Sequence, residues 1–167
     1  MEITNENVSA WFDKYFETVA KTSEIESIPG FARFFTEDFE YVYYTMPPVE
    51  VLSDKADREG ILKSFMHPGI HEIIKPEFYL MDLKKMIVAV RLYDQIISDT
   101  AGVIAKFNGC AIYYMVPATD MGIKIRKIEF FTENQSPESI EIQNKEYAKS
   151  KPGAIDRVIS EWLKSKY

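Results

Sequence analysis

His71 is the side chain best suited to move protons near neutrality, since an imidazole can act as acid or base at that pH. It sits in the run His71-Glu72-Ile73-Ile74-Lys75-Pro76, which reads as extended chain. A second set of candidates is phenolic: Tyr43 on a strand, Tyr15 in a helical segment and Tyr113 on a later strand. A buried phenol can donate a hydrogen bond to a carbonyl or enolate oxygen. Even without a catalytic part, its hydroxyl needs a partner. The third set is ionic. Arg91 and Tyr93 share one face of a strand, and Lys127 and Glu129 share one face of another. On a concave sheet face these residues put a charged cluster into a cavity; on a convex face they are exposed pairs worth about 0–1 kcal/mol. A bulge inverts strand parity, so both readings stay open.

Other chemistries lack their residues. Cys110 is the single cysteine, which excludes an intramolecular disulfide and a cysteine zinc site, and two histidines do not make a histidine cage. There is no glycine-rich phosphate loop, no nucleophile elbow and no His-Glu-x-x-His. His67 next to Pro68 reads as a helix-end residue, Asp94 and Asp99 as solvated turn residues, and the methionines as packing. No metal and no organic cofactor is expected. A net charge of −6 makes nucleic acid a poor partner, and no polybasic segment invites a membrane. No apolar run approaches the roughly 20 residues of a membrane span, and the first residues lack a signal-peptide pattern. The expected compartment is the cytoplasm.

The elements that must position these side chains follow from periodicity. Residues 5–22 carry Val8, Trp11, Phe12, Tyr15, Phe16 and Val19 at helical spacing. Pro29 suits the first turn of a short helix bearing Phe31, Phe34 and Phe35. Residues 39–45 read as a strand ended by Pro47-Pro48, residues 49–55 as a loop, and residues 58–66 as a helix capped by Asp54 or Asp57. Residues 70–82 form an interrupted extended stretch with Pro76 at an edge or bulge. Three long strands follow over 86–97, 102–116 and 123–132, with short polar turns that predict an antiparallel meander apolar on both faces. Residues 134–151 read as a polar, mobile excursion with a helical turn near 144–148, and residues 154–166 as an amphipathic helix. The 167 residues divide into a domain over 1–133 and an extension over 134–167.

Two segments carry a family resemblance. Phe34-Phe35-Thr36-Glu37-Asp38-Phe39 resembles the entry into the first strand of the nuclear-transport-factor-2-like (SnoaL-like) superfamily, and the segment from Gly122 to Phe131 resembles its final strand. The resemblance covers about residues 8–133 and implies an α+β cone: N-terminal helices packed on a curved antiparallel sheet, here with an extra C-terminal helix. It also implies one pocket between the helices and the concave sheet. His71 resembles the histidine that dehydratase members carry at the start of their second strand. Tyr43 matches a pocket tyrosine of scytalone dehydratase, at the place where ketosteroid isomerases hold an aspartate base. Tyr15 and Tyr113 fall where those isomerases stabilise an oxyanion. Glu129 and Arg91 resemble residues of limonene epoxide hydrolase, whose further aspartate is replaced here by Tyr93.

The expected catalytic set is therefore His71, Tyr43 and Glu129, and the expected ligand-binding set is Tyr15, Trp11, Arg91, Tyr93 and Tyr113. The reaction class implied is proton transfer on a small, mostly apolar or aromatic carbonyl compound: dehydration, isomerisation or cyclisation. A non-catalytic binding domain and a scaffold subunit are the competing readings. A homodimer is expected in each case, because a sheet apolar on both faces must be covered twice.

Overall fold

The computed structural model describes residues 2–24, 27–45, 53–65, 67–133 and 135–149. The apolar stripe of the first segment forms α1 (Asn5–Val19), whose N-cap Thr4 accepts a hydrogen bond from the Asn7 amide at 3.2 Å. Its buried side is the predicted set from Val8 to Val19. Then come α2 (Ile28–Ala32), β1 (Phe35–Thr45), β2 (Ser53–Asp57) and α3 (Arg58–Phe65). Asp57 is the residue that caps α3, accepting from the Gly60 amide at 2.8 Å. Four long strands follow: β3 (Ile70–Asp82), β4 (Ile87–Ser98), β5 (Gly102–Ala118) and β6 (Gly122–Thr132). Gly102 and Gly122 open the last two with φ of 73° and 79°, a conformation that costs a glycine little.

All six strands join one sheet in the order β2-β1-β6-β5-β4-β3. Strands β3 to β6 form the predicted antiparallel meander. Beside this antiparallel meander, β1 pairs with β6 in parallel, because the chain returns from α3 to the far edge before starting the meander. Pro76 lies on edge strand β3 beside a register shift between Pro76 and Phe78, so both predicted reasons for tolerating a proline apply.

One sheet face is buried and the other is wet. On β4, Val88, Val90, Leu92, Asp94, Ile96 and Ser98 are buried while Arg91 between them is exposed. The inner face packs on α1 through an aromatic cluster in which Phe12 meets Tyr113 edge-on at 4.8 Å and Tyr15 meets Phe34 at 5.3 Å. At Gly109 a Cβ would stand 3.1 Å from the Phe130 ring and from the Phe131 carbonyl, so the strand needs a residue without a side chain there. The outer face is less fully covered than expected: Phe78 and Leu80 are 49% and 64% exposed.

After β6 the chain forms α4 (Pro137–Lys149), not the mobile excursion expected of 134–151. Its apolar stripe is weak, with Ile140 and Ile142 exposed. Polar contacts hold it instead. Glu146 is buried and accepts from the Ser98 and Thr100 hydroxyls at 2.8 Å each and from Lys149. Ser139 donates to the Ile104 carbonyl at 3.3 Å. The amphipathic helix expected over 154–166 lies outside the described residues.

Candidate active site

Parity on two adjacent strands carries two carboxyl groups into the cone. In the β3–β4 ladder Ile74 faces Asp94 and Glu72 faces Ile96, so Glu72 and Asp94 are diagonal neighbours on the inner face. Asp94 is fully buried, and neither of its carboxylate oxygens has a well-aligned N–H or hydroxyl donor. Its ionisable neighbour on the inner face is Glu72, and the two carboxyls act on each other's ionisation. Two carboxylates in that position cannot both ionise, because each charge is desolvated and repels the other. Desolvation, and then the charge and hydrogen bond of Asp94, push the Glu72 carboxyl well above the usual range. Desolvation raises Asp94 to about 6, against the pull of the Glu72 hydrogen bond and the Gln95 amide. Near neutral pH the two carboxyls therefore share a proton as a pair.

Phenols surround this dyad. Tyr15, Tyr41, Tyr113 and Tyr147 all have their ionisation pushed up, first by burial, and the field of Glu72 acts on each of them. They stay protonated donors at any physiological pH. Tyr15 is hydrogen-bonded to Tyr113, and both rings belong to the packed aromatic floor of the cone. Tyr147 comes from α4 and lines a cavity of about 410 Å³ at the mouth, together with Tyr43, Thr132, Gln135, Gln143 and Asn144. The Tyr43 and Thr132 hydroxyls are 2.9 Å apart there.

The residues expected to converge do not. Tyr43 faces inward and lines the mouth cavity. His71 has the opposite parity to Glu72 and sits at the rim, a third exposed, with Nδ1 2.9 Å from the Ser23 hydroxyl and Nε2 2.9 Å from Asp99. It ties the turn after α1 to the β4–β5 turn. Glu129 is on the outer face, where Tyr114 donates to it at 2.9 Å and Lys127 at 2.8 Å. Those contacts hold its carboxyl below the usual range, with the Lys127 hydrogen bond the largest cause. Arg91 is also outside, paired with Glu77 at 2.8 Å, and Tyr93 shares its parity. The physical reason is strand alternation: Val90 and Leu92 are the inward residues, so Arg91 and Tyr93 must point outward. Trp11, Tyr15 and Tyr113 are interior residues packed on one another rather than walls of the mouth cavity.

Asp94 is no turn residue, and it was the missed signal. Read with period two, β4 runs Val88, Val90, Leu92, Asp94, Ile96, and the acid interrupts an inward apolar set. Glu72 is hidden in sequence by its neighbour His71. Among the described residues no group of three His, Cys, Asp or Glu side chains is arranged to hold a metal ion.

No protein-family model and no curated protein matches the chain. Solved structures do. PrhC from Penicillium brasilianum is similar at 16% identity over 93% of this chain and 97% of that one, with a TM-score of 0.59. The BvnE pinacolase from Penicillium brevicompactum is similar at 12% identity over 89% and 97%, with a TM-score of 0.56. A nuclear-transport-factor-2-like protein from Shewanella baltica is similar at 6% identity over 80% and 100%, with a TM-score of 0.53. At such identities the likeness is one of fold, and the fold is the nuclear-transport-factor-2-like cone that the two sequence segments resemble.

Proposed function

We propose that this chain is a cofactor-independent proton-transfer enzyme for a small, mostly apolar carbonyl compound, with Glu72 and Asp94 rather than His71 as its acid–base pair. The observation that supports it is the placing of two carboxyls, the fully buried Asp94 and the half-buried Glu72, side by side on the inner face, with the ionisation of each pushed up. Paired groups of this kind divide the roles of acid and base. The substrate would bind in the mouth cavity lined by Tyr43, Thr132 and Tyr147, and the pair acts on it from deeper in the cone, outside that lining. The Asp94 carboxylate takes a proton from the carbon next to the carbonyl. Glu72 delivers its proton to the oxygen, giving the enol, or to a departing β-hydroxyl, giving water and the unsaturated product. Tyr41 or Tyr147 donates a hydrogen bond to the oxygen as charge builds on it. His71 holds the rim through Ser23 and Asp99 and does not touch the reacting atoms.

A non-catalytic binding module is the second reading. It is favoured by the aromatic floor, where Phe12, Tyr15 and Tyr113 fill the lower cone and leave open space at the mouth. Self-association through the outer sheet face accompanies either reading, since Phe78 and Leu80 leave apolar surface there.

The test is exchange of the α-hydrogens of simple aryl ketones in D2O, followed by proton NMR. Acceleration by the wild type that is lost in Glu72→Gln and Asp94→Asn supports the enzyme. Ketones that bind at the mouth without any faster exchange would establish the binding module instead.

A further inference from the structure

A second hollow, of about 780 Å³, opens at the other end of the sheet, between the outer side of α1, the α2 segment and the β5–β6 turn. Strand β6 begins at Gly122 on this hollow and ends at Thr132 on the mouth, so its 11 residues separate the two by roughly 33 Å. Nothing in the proposed reaction uses it.

Its lining is amphipathic. Ala10, Trp11, Phe34 and Met121 supply the apolar part. Lys14, Lys21 and Arg33 supply cations, and no ion pair among the described residues takes any of the three. The carboxylates on the hollow are Glu17 and Asp120; Asp120 is bound by Lys124 at 3.1 Å and also feels the charge of Arg33, so Lys14 and Lys21 carry most of the excess. A chain of net charge −6 thus gathers a positive excess at one concave spot. Trp11 adds a further observation. It is 5% exposed, and its indole N–H is buried without a hydrogen-bond partner. At Gly30, on the same wall, a Cβ would meet nothing within 4 Å, so the wall leaves room there.

From these features we infer that the hollow is a ligand site distinct from the cone mouth, and that it takes a small aromatic anion. The ring would lie on Phe34, Met121 and the exposed edge of Trp11, and the carboxylate would accept from Lys14 or Arg33.

The experiment is an ¹⁵N-resolved NMR titration with 1-naphthoate, using the neutral 1-naphthalenemethanol as control. The inference predicts saturable shifts at the Trp11 indole N–H and at the Met121 and Gly122 amides with the anion, and at least about tenfold weaker binding by the alcohol. Lys14→Glu/Arg33→Glu, which changes exposed residues only, should weaken naphthoate by about tenfold or more while leaving the spectrum of the cone interior in place. Trp11→Phe, which keeps an aromatic ring on Tyr15 and Phe34, should weaken it several-fold. Naphthoate binding unchanged in the charge-reversed variant would overturn the inference. So would shifts confined to Tyr43, Gln143 and Tyr147, or no saturation at millimolar ligand. None of these outcomes bears on the dyad, whose own test is proton exchange.

Discussion

The two faces of the central sheet carry similar ionisable side chains and treat them oppositely. Outside, Arg91 pairs with Glu77 and Lys127 with Glu129, and each charge meets its opposite at 2.8 Å in contact with water. Inside, Glu72 and the fully buried Asp94 lie side by side, and no ion pair among the described residues takes either. The outer pairs are held in their charged forms at small net gain. The inner pair is held in a protonation state that neither residue adopts alone, at a cost to folding. The position of a side chain within the strand's alternation thus decides whether an acid is a surface decoration or a proton reservoir.

That contrast can be broken first by neutralising each side. Glu72→Gln and Asp94→Asn should lower ketone α-exchange by about 10²–10⁴-fold, the usual contribution of a positioned acid or base. Glu129→Gln and Arg91→Ala should leave it unchanged, measured on the same substrate. Exchange in the wild type should rise as pH passes about 6, where Asp94 ionises, and fall at higher pH as Glu72 gives up its proton. Truncation gives the next largest difference. Phe12→Ala on the inner side should cost about 3–5 kcal/mol in urea unfolding, and Phe78→Ala on the outer side within about 0.5 kcal/mol.

Stability against pH sharpens the comparison further. The folded chain holds the Asp94 proton up to about 6, whereas an unfolded aspartate releases it near 3.9. The native state therefore binds more protons in that window, and stability falls as pH rises through it. Asp94→Asn removes the penalty and should stabilise the protein by on the order of 1–3 kcal/mol at pH 8, with no gain below about pH 4. Glu146 behaves in the reverse sense. Hydrogen bonds from Lys149, Ser98 and Thr100 hold it down to about 2, so the α4 latch is intact above the ordinary glutamate range and loosens as pH falls toward 2. Glu146→Ala should speed amide exchange in 137–149 at neutral pH and leave β4 protected. The smallest effect is expected outside: Lys127→Ala should change unfolding stability by about 0–1 kcal/mol.

Much of the architecture was legible in the chain. The α1 stripe and the long strands with polar turns are repeated local patterns, and local patterns survive folding. The parallel β1–β6 pairing is not local, and no periodicity announces it. Helix α4 escaped because Ile140 and Ile142 are exposed, and what holds it is a buried glutamate meeting hydroxyls nearly 50 residues away in sequence. At the site, the resemblance singled out residue 71, one position from Glu72, whose parity is inward. A one-residue difference in a strand reverses the face. For Glu129 and Arg91 both faces stayed open for the same reason: the charge pattern is visible in sequence, but which face is concave is set by packing on α1.

A titration of the Glu72 and Asp94 side-chain carboxyls by ¹³C NMR tests the central claim most directly. One carboxyl ionising at about 6 and the other still protonated well above it, each curve altered when the partner is made an amide, is the predicted result. Two independent titrations near the ordinary carboxylate value of about 4 would contradict the account.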